Sequence, residues 1–359
     1  VLVAWSAPDF AAAQAARRSA AGDPWAALPA ALRLRAEALA ADAARGHLVL
    51  FIGAGVSAGA GLPLWDDLLG ELATTAGLDS GAPERTSFAA LNTLDRAEYL
   101  AQRLRDRGGV GQAVVDRLGA HRHYSLGHAL LAGLPVDEAI TTNYDRLFET
   151  ACAATGRPCA VLPYAPAVEH DRWLLKMHGC LEHPEDIVLT RENYLRYAER
   201  NAALAGIVQA MLITRNMLFL GFSLGDDNFL RIVDSVRRAV RPVNGSGARR
   251  SHLGSAVMLA DNPLLRQLWH DEIEWLCVGE PGRSIAEAAR LSEIFLDCLS
   301  SHAAASTHLL DPRFAHVRTP ADEALAALLD PLCDAPREVR AAAAWPLVAE
   351  LLTRLGRAP

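Results

Sequence analysis

Residues 47–63 read HLVLFIGAGVSAGAGLP, and this stretch decides the fold. The apolar run Leu48–Ile52 has the length and composition of a buried strand. It leads directly into Gly53-Ala54-Gly55-Val56-Ser57-Ala58-Gly59, a turn dense in glycine. Such a strand and turn are typical of the phosphate-binding end of an open α/β sheet, because glycine lets the backbone approach a ligand closely. The stretch predicts a dinucleotide site, and a turn built only for packing stays open as the alternative.

The composition limits the class of protein. The chain has 359 residues, of which 51% are hydrophobic, and its formal net charge is −7. It is long enough for one large domain or two ordinary ones, and the negative charge argues against direct nucleic-acid binding. The six cysteines form no Cys-x-x-Cys pair, which disfavours a zinc ribbon and favours the reducing cytoplasm. The sequence has neither a secretory leader pattern nor an apolar run of about 18 residues, so we expect no membrane span.

Strand-like and helix-like segments alternate between residues 47 and 278. This alternation predicts a Rossmann-like α/β fold, with a mostly parallel sheet and helices on both of its faces. A helical insert at about 64–132 separates the first strand from the next, whereas a plain dinucleotide fold would place its second strand much sooner. We expect an N-terminal helical segment at 1–46, a catalytic domain at 47–283 and a helical C-terminal region at 284–359. A short strand is also predicted at Asp186–Thr190.

Small or polar residues follow four of the predicted strands. The predicted strand ends carry Gly53-Ala54-Gly55, then Asn143 and Asp145, then His178, and finally Gly221 and Ser223. Ligands of parallel α/β sheets bind beyond the carboxyl ends of the strands. Four such ends in one chain therefore predict a site for a polar ligand.

These four blocks, in this order, resemble the sirtuin-like family over roughly residues 47–278. Gly53-Ala54-Gly55-Val56-Ser57 is similar to the family's phosphate loop, and Thr141-Thr142-Asn143-Tyr144-Asp145 is similar to its Thr-x-Asn-x-Asp segment. His178-Gly179 resembles the catalytic His-Gly, and Gly221-Phe222-Ser223 resembles the Gly-Thr-Ser turn that binds ribose. The resemblance implies that NAD is the substrate, and that the bond between nicotinamide and ribose is broken.

The resemblance also implies a role for each residue. His178 would be the base that acts on water or on a ribose hydroxyl, a task that suits a side chain with an ordinary pKa near 6.5. Asn143 would orient the ribose or the water, and Asp145 would bind the nicotinamide carboxamide. Two groups of residues would hold the rest of NAD: Gly53, Ala54, Gly55 and Ser57 the pyrophosphate, and Gly221 with Ser223 the adenosine ribose.

Purely structural roles stay open for several of these residues. Asn143 and Asp145 are also suited to an Asx turn or to capping the helix that follows. Gly221-Phe222-Ser223 is compatible with an ordinary turn into a helix capped by Asp226. No metal site is expected. His121, His123 and His128 lack an acidic or cysteine partner at suitable spacing, and we assign them solvated or packing roles.

Two departures from the family indicate the reaction. Lysine deacylases of the family carry a four-cysteine zinc module after the His-Gly block, whereas Cys180 stands alone here, so no zinc is expected. They also carry an arginine after the glycine loop, where this chain has Gly61-Leu62-Pro63-Leu64-Trp65-Asp66. With the segment Leu189–Tyr194, these differences resemble the NAD hydrolases of bacterial antiphage systems, in which water is the acceptor.

The antiphage branch implies how such an enzyme is organised. It would release nicotinamide and ADP-ribose, deplete NAD during infection, form a homo-oligomer and, in one known arrangement, assemble with a HerA-type translocase ATPase. The helical tail at 284–359 is the expected place for assembly contacts. Two other functions stay open: a non-catalytic sensor or scaffold that binds NAD or ADP-ribose, and a protein deacylase or ADP-ribosyltransferase.

Overall fold

The computed structural model describes residues 6–78, 83–240, 252–269, 272–280 and 282–357. Within these residues, seven strands form one sheet, and every neighbouring pair is parallel. The strands are β1 (Leu48–Ile52), β2 (Glu138–Thr141), β3 (Ala160–Leu162), β4 (Trp173–Lys176), β5 (Asn216–Leu220), β6 (Gly254–Met258) and β7 (Ile273–Cys277). The predicted Rossmann-like α/β fold is confirmed.

The order of the strands reverses at the middle of the sheet. The spatial order is β3-β4-β2-β1-β5-β6-β7, so the chain leaves β1 toward one side and later returns to add β5 on the other. All five residues of β1 pair with β5, from Leu48 with Asn216 to Ile52 with Leu220. A reversal of this kind splays the connections apart and opens a binding crevice beyond the strand ends.

Helices connect the strands and surround the sheet. In the unit that contains the sheet they are α3 (Ala54–Ala58), α4 (Trp65–Thr75), α5 (Pro83–Ala90), α6 (Thr93–Leu104), α7 (Gly109–Leu118), α8 (Leu126–Ala132), α9 (Leu147–Ala154), α10 (Arg191–Arg200), α11 (Ala202–Thr214), α12 (Asp227–Ala239) and α13 (Pro263–Trp269). Helices α4 to α8 occupy the predicted insert, and α4 to α7 share a buried cluster that includes Leu69, Leu72 and Leu100. Each of the described helices is too short or too polar to cross a membrane.

The sheet is the centre of the main core. Strand β1 is buried along its whole length, as expected for a strand covered on both faces. Four phenylalanines contact one another on one face, and the ring centroids of Phe51 and Phe222 lie 4.5 Å apart. Phe219 and Phe229 complete this group. The turn after β5 is thus anchored in the core, because Phe222 is part of that turn.

The contacts of the chain divide it into two units, residues 45–293 and residues 1–44 with 294–359. The second unit contains α1 (Ala7–Ser19) and α2 (Ala30–Ala44), and then most of α14 (Ile285–Ala303), α15 (Pro320–Cys333), α16 (Arg337–Arg340) and α17 (Trp345–Arg354). Within it, the guanidinium of Arg17 donates two hydrogen bonds to the carboxylate of Asp297, at 2.8 and 2.6 Å. Residues from both ends of the sequence therefore form this helical unit together.

The predicted short strand at Asp186–Thr190 is wrong. This segment begins in the 3-10 turn Pro184–Asp186 and joins no strand of the sheet. The N–H of Val188 donates to the carbonyl of His178 at 2.9 Å, and the next two N–H groups donate to the side chain of Asn193 at 3.1 and 3.0 Å. These donors serve a loop and the start of α10, so they do not build a strand ladder.

Candidate functional site

The four strand ends identified in the sequence lie side by side. They belong to β4, β2, β1 and β5, which are consecutive in the sheet. Thr141 pairs with Lys176 at the ends of β2 and β4, so Asn143 and His178 each lie two residues beyond a paired position. Since the strands are parallel, all four ends point to one edge of the sheet.

The turns after β1 and β5 contact each other through their backbones. Gly53 N–H donates to the carbonyl of Leu220, and Gly55 N–H donates to the carbonyl of Gly221, each at 2.9 Å. A Cβ on Gly55 would lie 2.8 Å from the Cα of Gly221, which is too close for two carbons. Close packing of the two backbones therefore explains why glycine occupies these positions. The Gly53 and Gly55 N–H groups already donate hydrogen bonds within the protein.

The turn after β5 is open to solvent and adopts unusual backbone angles. Gly221 has φ +60°, and a Cβ there would lie 2.5 Å from the amide nitrogen of Val56. Leu224 also has φ 60°, a conformation that costs a non-glycine residue energy. Gly55, Gly221 and Ser223 are exposed, while Leu224 is buried. A ligand in the crevice would thus meet backbone and one hydroxyl at this turn.

Ser57 is the centre of a buried hydrogen-bond network. Its hydroxyl donates to Asp145 Oδ2 at 2.8 Å, and it accepts from the amide of Asn143 at 3.1 Å. The same amide donates to the carbonyl of Gly53 at 3.1 Å. His128 Nε2 lies 3.3 Å from the Ser57 oxygen. Ser57 thus joins the glycine turn to the segment after β2, and its hydroxyl faces protein groups on every side.

His128 is a residue of this network that the sequence analysis did not identify. Its side chain is fully buried, and Ser125 N–H donates to Nδ1 at 3.3 Å. Nδ1 is therefore the acceptor, and Nε2 carries the proton that points to Ser57. Burial lowers the pKa of His128, although the charge of Asp145 opposes this, which favours the neutral ring. The spacing Ser125-x-x-His128, which matches a helix capping box, was the signal in the sequence.

Asp145 uses both carboxylate oxygens inside the protein. Oδ1 accepts the N–H of Leu147 at 3.0 Å, which forms an Asx turn just before α9, and Oδ2 accepts the hydroxyl of Ser57. The Asx turn that the sequence left open is therefore present, whereas the N-cap of α9 is Arg146, whose side chain makes no capping hydrogen bond. Asn143 is half-buried, and its amide already donates to Gly53 and Ser57.

Lys176 fixes the loop that carries Asn143 and Asp145. It is the last residue of β4, and its ammonium group hydrogen bonds to the carbonyls of Asp145 and Asn143. It also pairs with Glu149 at 2.9 Å, and both side chains are buried. Burial alone would lower the pKa of Lys176, but the charges of Glu149, Cys180 and Asp145 outweigh it and raise that pKa. Lys176 is thus a charged residue that holds this loop in position beside the site.

His178 lies in a closed environment that is mostly aromatic. Its side chain is 1% exposed, and neither ring nitrogen has a hydrogen-bond partner among the described residues. The rings of Tyr194 and Tyr197 meet it edge-on, with centroids at 5.6 and 6.0 Å. Asp226 Oδ1 lies 3.6 Å from Nε2, slightly beyond hydrogen-bond distance. A buried histidine without a hydrogen bond is costly, and such groups occur at functional sites.

Asp226 is held in place by two hydrogen bonds of its own. Its carboxylate accepts the N–H of Phe229 at 2.9 Å, which caps α12, and the hydroxyl of Tyr194 at 2.7 Å. Burial raises the pKa of Asp226, but its interaction with His178 and these hydrogen bonds outweigh burial and lower the pKa to about 2. The carboxylate is therefore ionised at neutral pH beside His178.

One exposed group of possible metal ligands lies near the site. One ligand atom from each of His183, Glu185 and Asp186 can be chosen so that all three lie within 4.8 Å of one another. The ring of His183 stacks on Tyr164 at 4.0 Å, and its Nδ1 lies 3.7 Å from the Glu185 carboxylate. Exposed acidic groups are common without an ion, so this group defines no site.

Comparison with known proteins agrees with this geometry. The SIR2-like domain family matches residues 137–272, which include Asn143, His178 and Asp226. The relatives include two proteins named NAD(+) hydrolase ThsA. The one from Enterococcus faecium is 32% identical over 203 residues, which cover 55% of this chain and 41% of the relative. The one from Bacillus cereus (strain MSX-D12) is 30% identical over 200 residues, which cover 54% and 40%.

A further relative is the protein named Defense-associated sirtuin 2 from Bacillus subtilis. It is 26% identical over 199 residues, which cover 54% of this chain and 19% of the relative. The chain thus spans about two fifths of the length of the two ThsA relatives.

Proposed function

We propose that this chain belongs to the sirtuin-like family and that it hydrolyses NAD at the bond between nicotinamide and ribose. Water replaces nicotinamide at the ribose carbon, and the products are nicotinamide, ADP-ribose and a proton. One observation carries the proposal: Asn143 and His178 each lie two residues beyond the end of one of the adjacent strands β2 and β4, at the edge of the sheet that also carries the turns after β1 and β5. The name NAD(+) hydrolase, which both ThsA relatives carry, supports the proposal.

The residues have distinct roles in this reaction. As nicotinamide leaves, positive charge grows on the ribose, as in glycoside hydrolysis. His178 takes the proton of the attacking water, and the Asn143 amide orients that water or the ribose. Gly53, Ala54, Gly55 and Ser57 seat the pyrophosphate, whereas Gly221 and Ser223 face the adenosine ribose. Asp145 binds the nicotinamide carboxamide, which requires it to release the hydroxyl of Ser57.

The Gly53 and Gly55 N–H groups donate to β5 in this structure. In the proposed pyrophosphate site, Gly53 and Gly55 therefore let the pyrophosphate approach the backbone closely, because a Cβ would block this approach.

Substitution of Asn143 and His178 tests this function. His178→Ala and Asn143→Ala should each reduce NAD hydrolysis at least about 100-fold, because each removes a group that acts on the reacting atoms. Release of nicotinamide and ADP-ribose is measured by chromatography, alone and with candidate activators. His316→Ala, at an exposed histidine in the helical unit, is the matched control and should keep full activity. Full activity of both site variants would rule out the assignment.

Two other functions are separated by the same purified protein. A non-catalytic sensor would bind NAD or ADP-ribose tightly in calorimetry and release no nicotinamide under any activating condition. A protein deacylase or ADP-ribosyltransferase would modify an acyl-lysine peptide or a protein acceptor in the presence of NAD. The Defense-associated sirtuin 2 relative favours neither of these and supports a role in antiphage defence.

The biological setting is part of the proposal. We place the enzyme in the cytoplasm, in agreement with six cysteines that form no disulfide. It acts as an NAD-depleting effector, and assembly into a homo-oligomer, with a HerA-type ATPase as the candidate partner, holds it off until infection. Co-purification with the product of a neighbouring ATPase gene, followed by light scattering, tests the assembly. A monomer that elutes alone and hydrolyses NAD without a trigger would contradict it.

A further inference from the structure

The environment of His178 is asymmetric, and this asymmetry bears on the proposed hydrolysis. Nε2 faces the carboxylate of Asp226 at 3.6 Å, whereas Nδ1 is buried and has no hydrogen-bond partner in the part of the chain that the structure describes. Tyr194 and Tyr197, both on α10, present ring edges to the imidazole. Among the described residues, the titratable groups around the ring are thus two tyrosines and one carboxylate, and of these three the carboxylate is charged at neutral pH.

We propose that Asp226 is a positioning residue that keeps the proton of neutral His178 on Nε2 and so leaves Nδ1 as the base. An ionised carboxylate attracts the N–H of an imidazole, which selects the tautomer, and it stabilises the imidazolium that forms when the base accepts a proton. Asp226 stays unprotonated throughout, and the proton from water goes to Nδ1. This inference rests on the proposed function and adds a residue to it.

The position of Asp226 is itself fixed from two sides. Tyr194 donates to Oδ2 at 2.7 Å, and the Phe229 N–H donates to Oδ1 at 2.9 Å. The carboxylate is 11% exposed, so water screens its field at His178 only weakly. Two further titratable residues interact electrostatically with the members of this group. Asp227 interacts with Tyr194, and Tyr144 interacts with Asp226. Two anchored oxygens give the imidazole one preferred orientation.

The obvious alternative is that Asp226 only caps α12. Asparagine and serine cap helices about as well as aspartate, so Asp226→Asn and Asp226→Ser keep the cap while they remove the charge. If capping were the whole role, both variants would keep the kcat of the wild type. If Asp226 positions His178, both should lose about 10- to 100-fold in kcat with little change in KM.

A second measurement separates this inference from the proposed function. The ring nitrogens of His178, assigned with His178→Ala in protein labelled with ¹⁵N at histidine, are observed by NMR in the wild type and in Asp226→Asn. Their chemical shifts report which nitrogen carries the proton, and loss of the carboxylate should move the proton from Nε2 toward Nδ1, because the charge that attracts it to Nε2 is removed. This result is expected whether or not NAD is hydrolysed, so an inactive wild type would overturn the function and leave the inference standing.

Asp311→Asn is the control: it removes a carboxylate cap in the helical unit and should change neither kcat nor the ¹⁵N shifts of His178. Tyr194→Phe releases one anchor of the carboxylate and should cost kcat a few-fold. Unchanged ¹⁵N shifts of His178 in Asp226→Asn, or a wild-type kcat in both Asp226→Asn and Asp226→Ser, would overturn the inference.

Discussion

At the scale of the residue, the hydroxyl of Ser57 is the most constrained group in the candidate site. It donates to Asp145 and accepts from Asn143, and His128 supplies a third contact. A hydroxyl has one donor and two acceptor positions, so these three partners saturate it. The orientation of the Asn143 amide therefore depends on a histidine that does not approach the substrate.

Two substitutions of His128 test this dependence. Glutamine keeps a donor near the place of Nε2, and asparagine keeps an acceptor near the place of Nδ1. His128→Gln should therefore retain the contact to Ser57, and we expect its kcat for NAD to exceed that of His128→Asn by about tenfold. Both should lose about 1–3 kcal/mol in the free energy of unfolding, measured in urea, because each leaves a buried group unpaired. A higher kcat in His128→Asn would contradict the network.

At the scale of the element, the turns after β1 and β5 act as one structure. Three glycines, Gly53, Gly55 and Gly221, leave no room for a Cβ where the two backbones touch. The glycine pattern around residue 53 predicted a close backbone approach, and the structure contains one, between two turns of the protein itself. The sequence could not reveal that partner, because the contact joins positions that lie far apart along the chain.

Alanine substitution measures how tightly these turns are packed. Gly221→Ala should cost about 2–4 kcal/mol in the free energy of unfolding, since it adds a clash to an unfavourable positive φ. Gly206→Ala is the matched control: it lies exposed on α11 with open space around it, and it should gain about 0.5–1 kcal/mol. Urea denaturation of the three proteins checks both signs. If Gly221→Ala left the free energy of unfolding unchanged, the two turns would be able to move apart at little energetic cost.

At the scale of the whole molecule, the buried charges make stability depend on pH. The pKa of Asp226 is lowered to about 2 in the folded protein, against an ordinary value of 3.8. A carboxyl whose pKa falls on folding stabilises the protein above its unfolded pKa, and this contribution disappears as the pH falls through the folded value. Asp226 therefore contributes about 2 kcal/mol near neutral pH, which is lost between pH 4 and 2.

Acid unfolding of Asp226→Asn checks this contribution. The difference in unfolding free energy between the wild type and Asp226→Asn should shrink as the pH is lowered from 5 to 2, because the wild type binds a proton on unfolding and the variant does not. Circular dichroism in urea at several pH values measures it. A difference that stays constant over this range would mean that the carboxyl has an ordinary pKa in the folded protein.

The sequence by itself determined the parallel α/β fold and the order of the four strand-end blocks. Strand hydrophobicity and glycine turns are local properties, so the segments after β1, β2, β4 and β5 can be read without knowing their neighbours. The error at 186–190 has the opposite origin. That apolar segment is extended, but its N–H groups are used by His178 and Asn193 rather than by a strand.

Only the tertiary structure decided which groups surround the predicted residues. Ser57 and Asp145 are 88 positions apart in the sequence, yet their side chains share a hydrogen bond of 2.8 Å. From the sequence, Asp226 was a possible helix cap and His128 a solvated or packing residue, because a side chain's partners depend on how distant segments pack. Electrostatic and hydrogen-bond interactions act over a few ångströms in space, and the fold alone sets those distances.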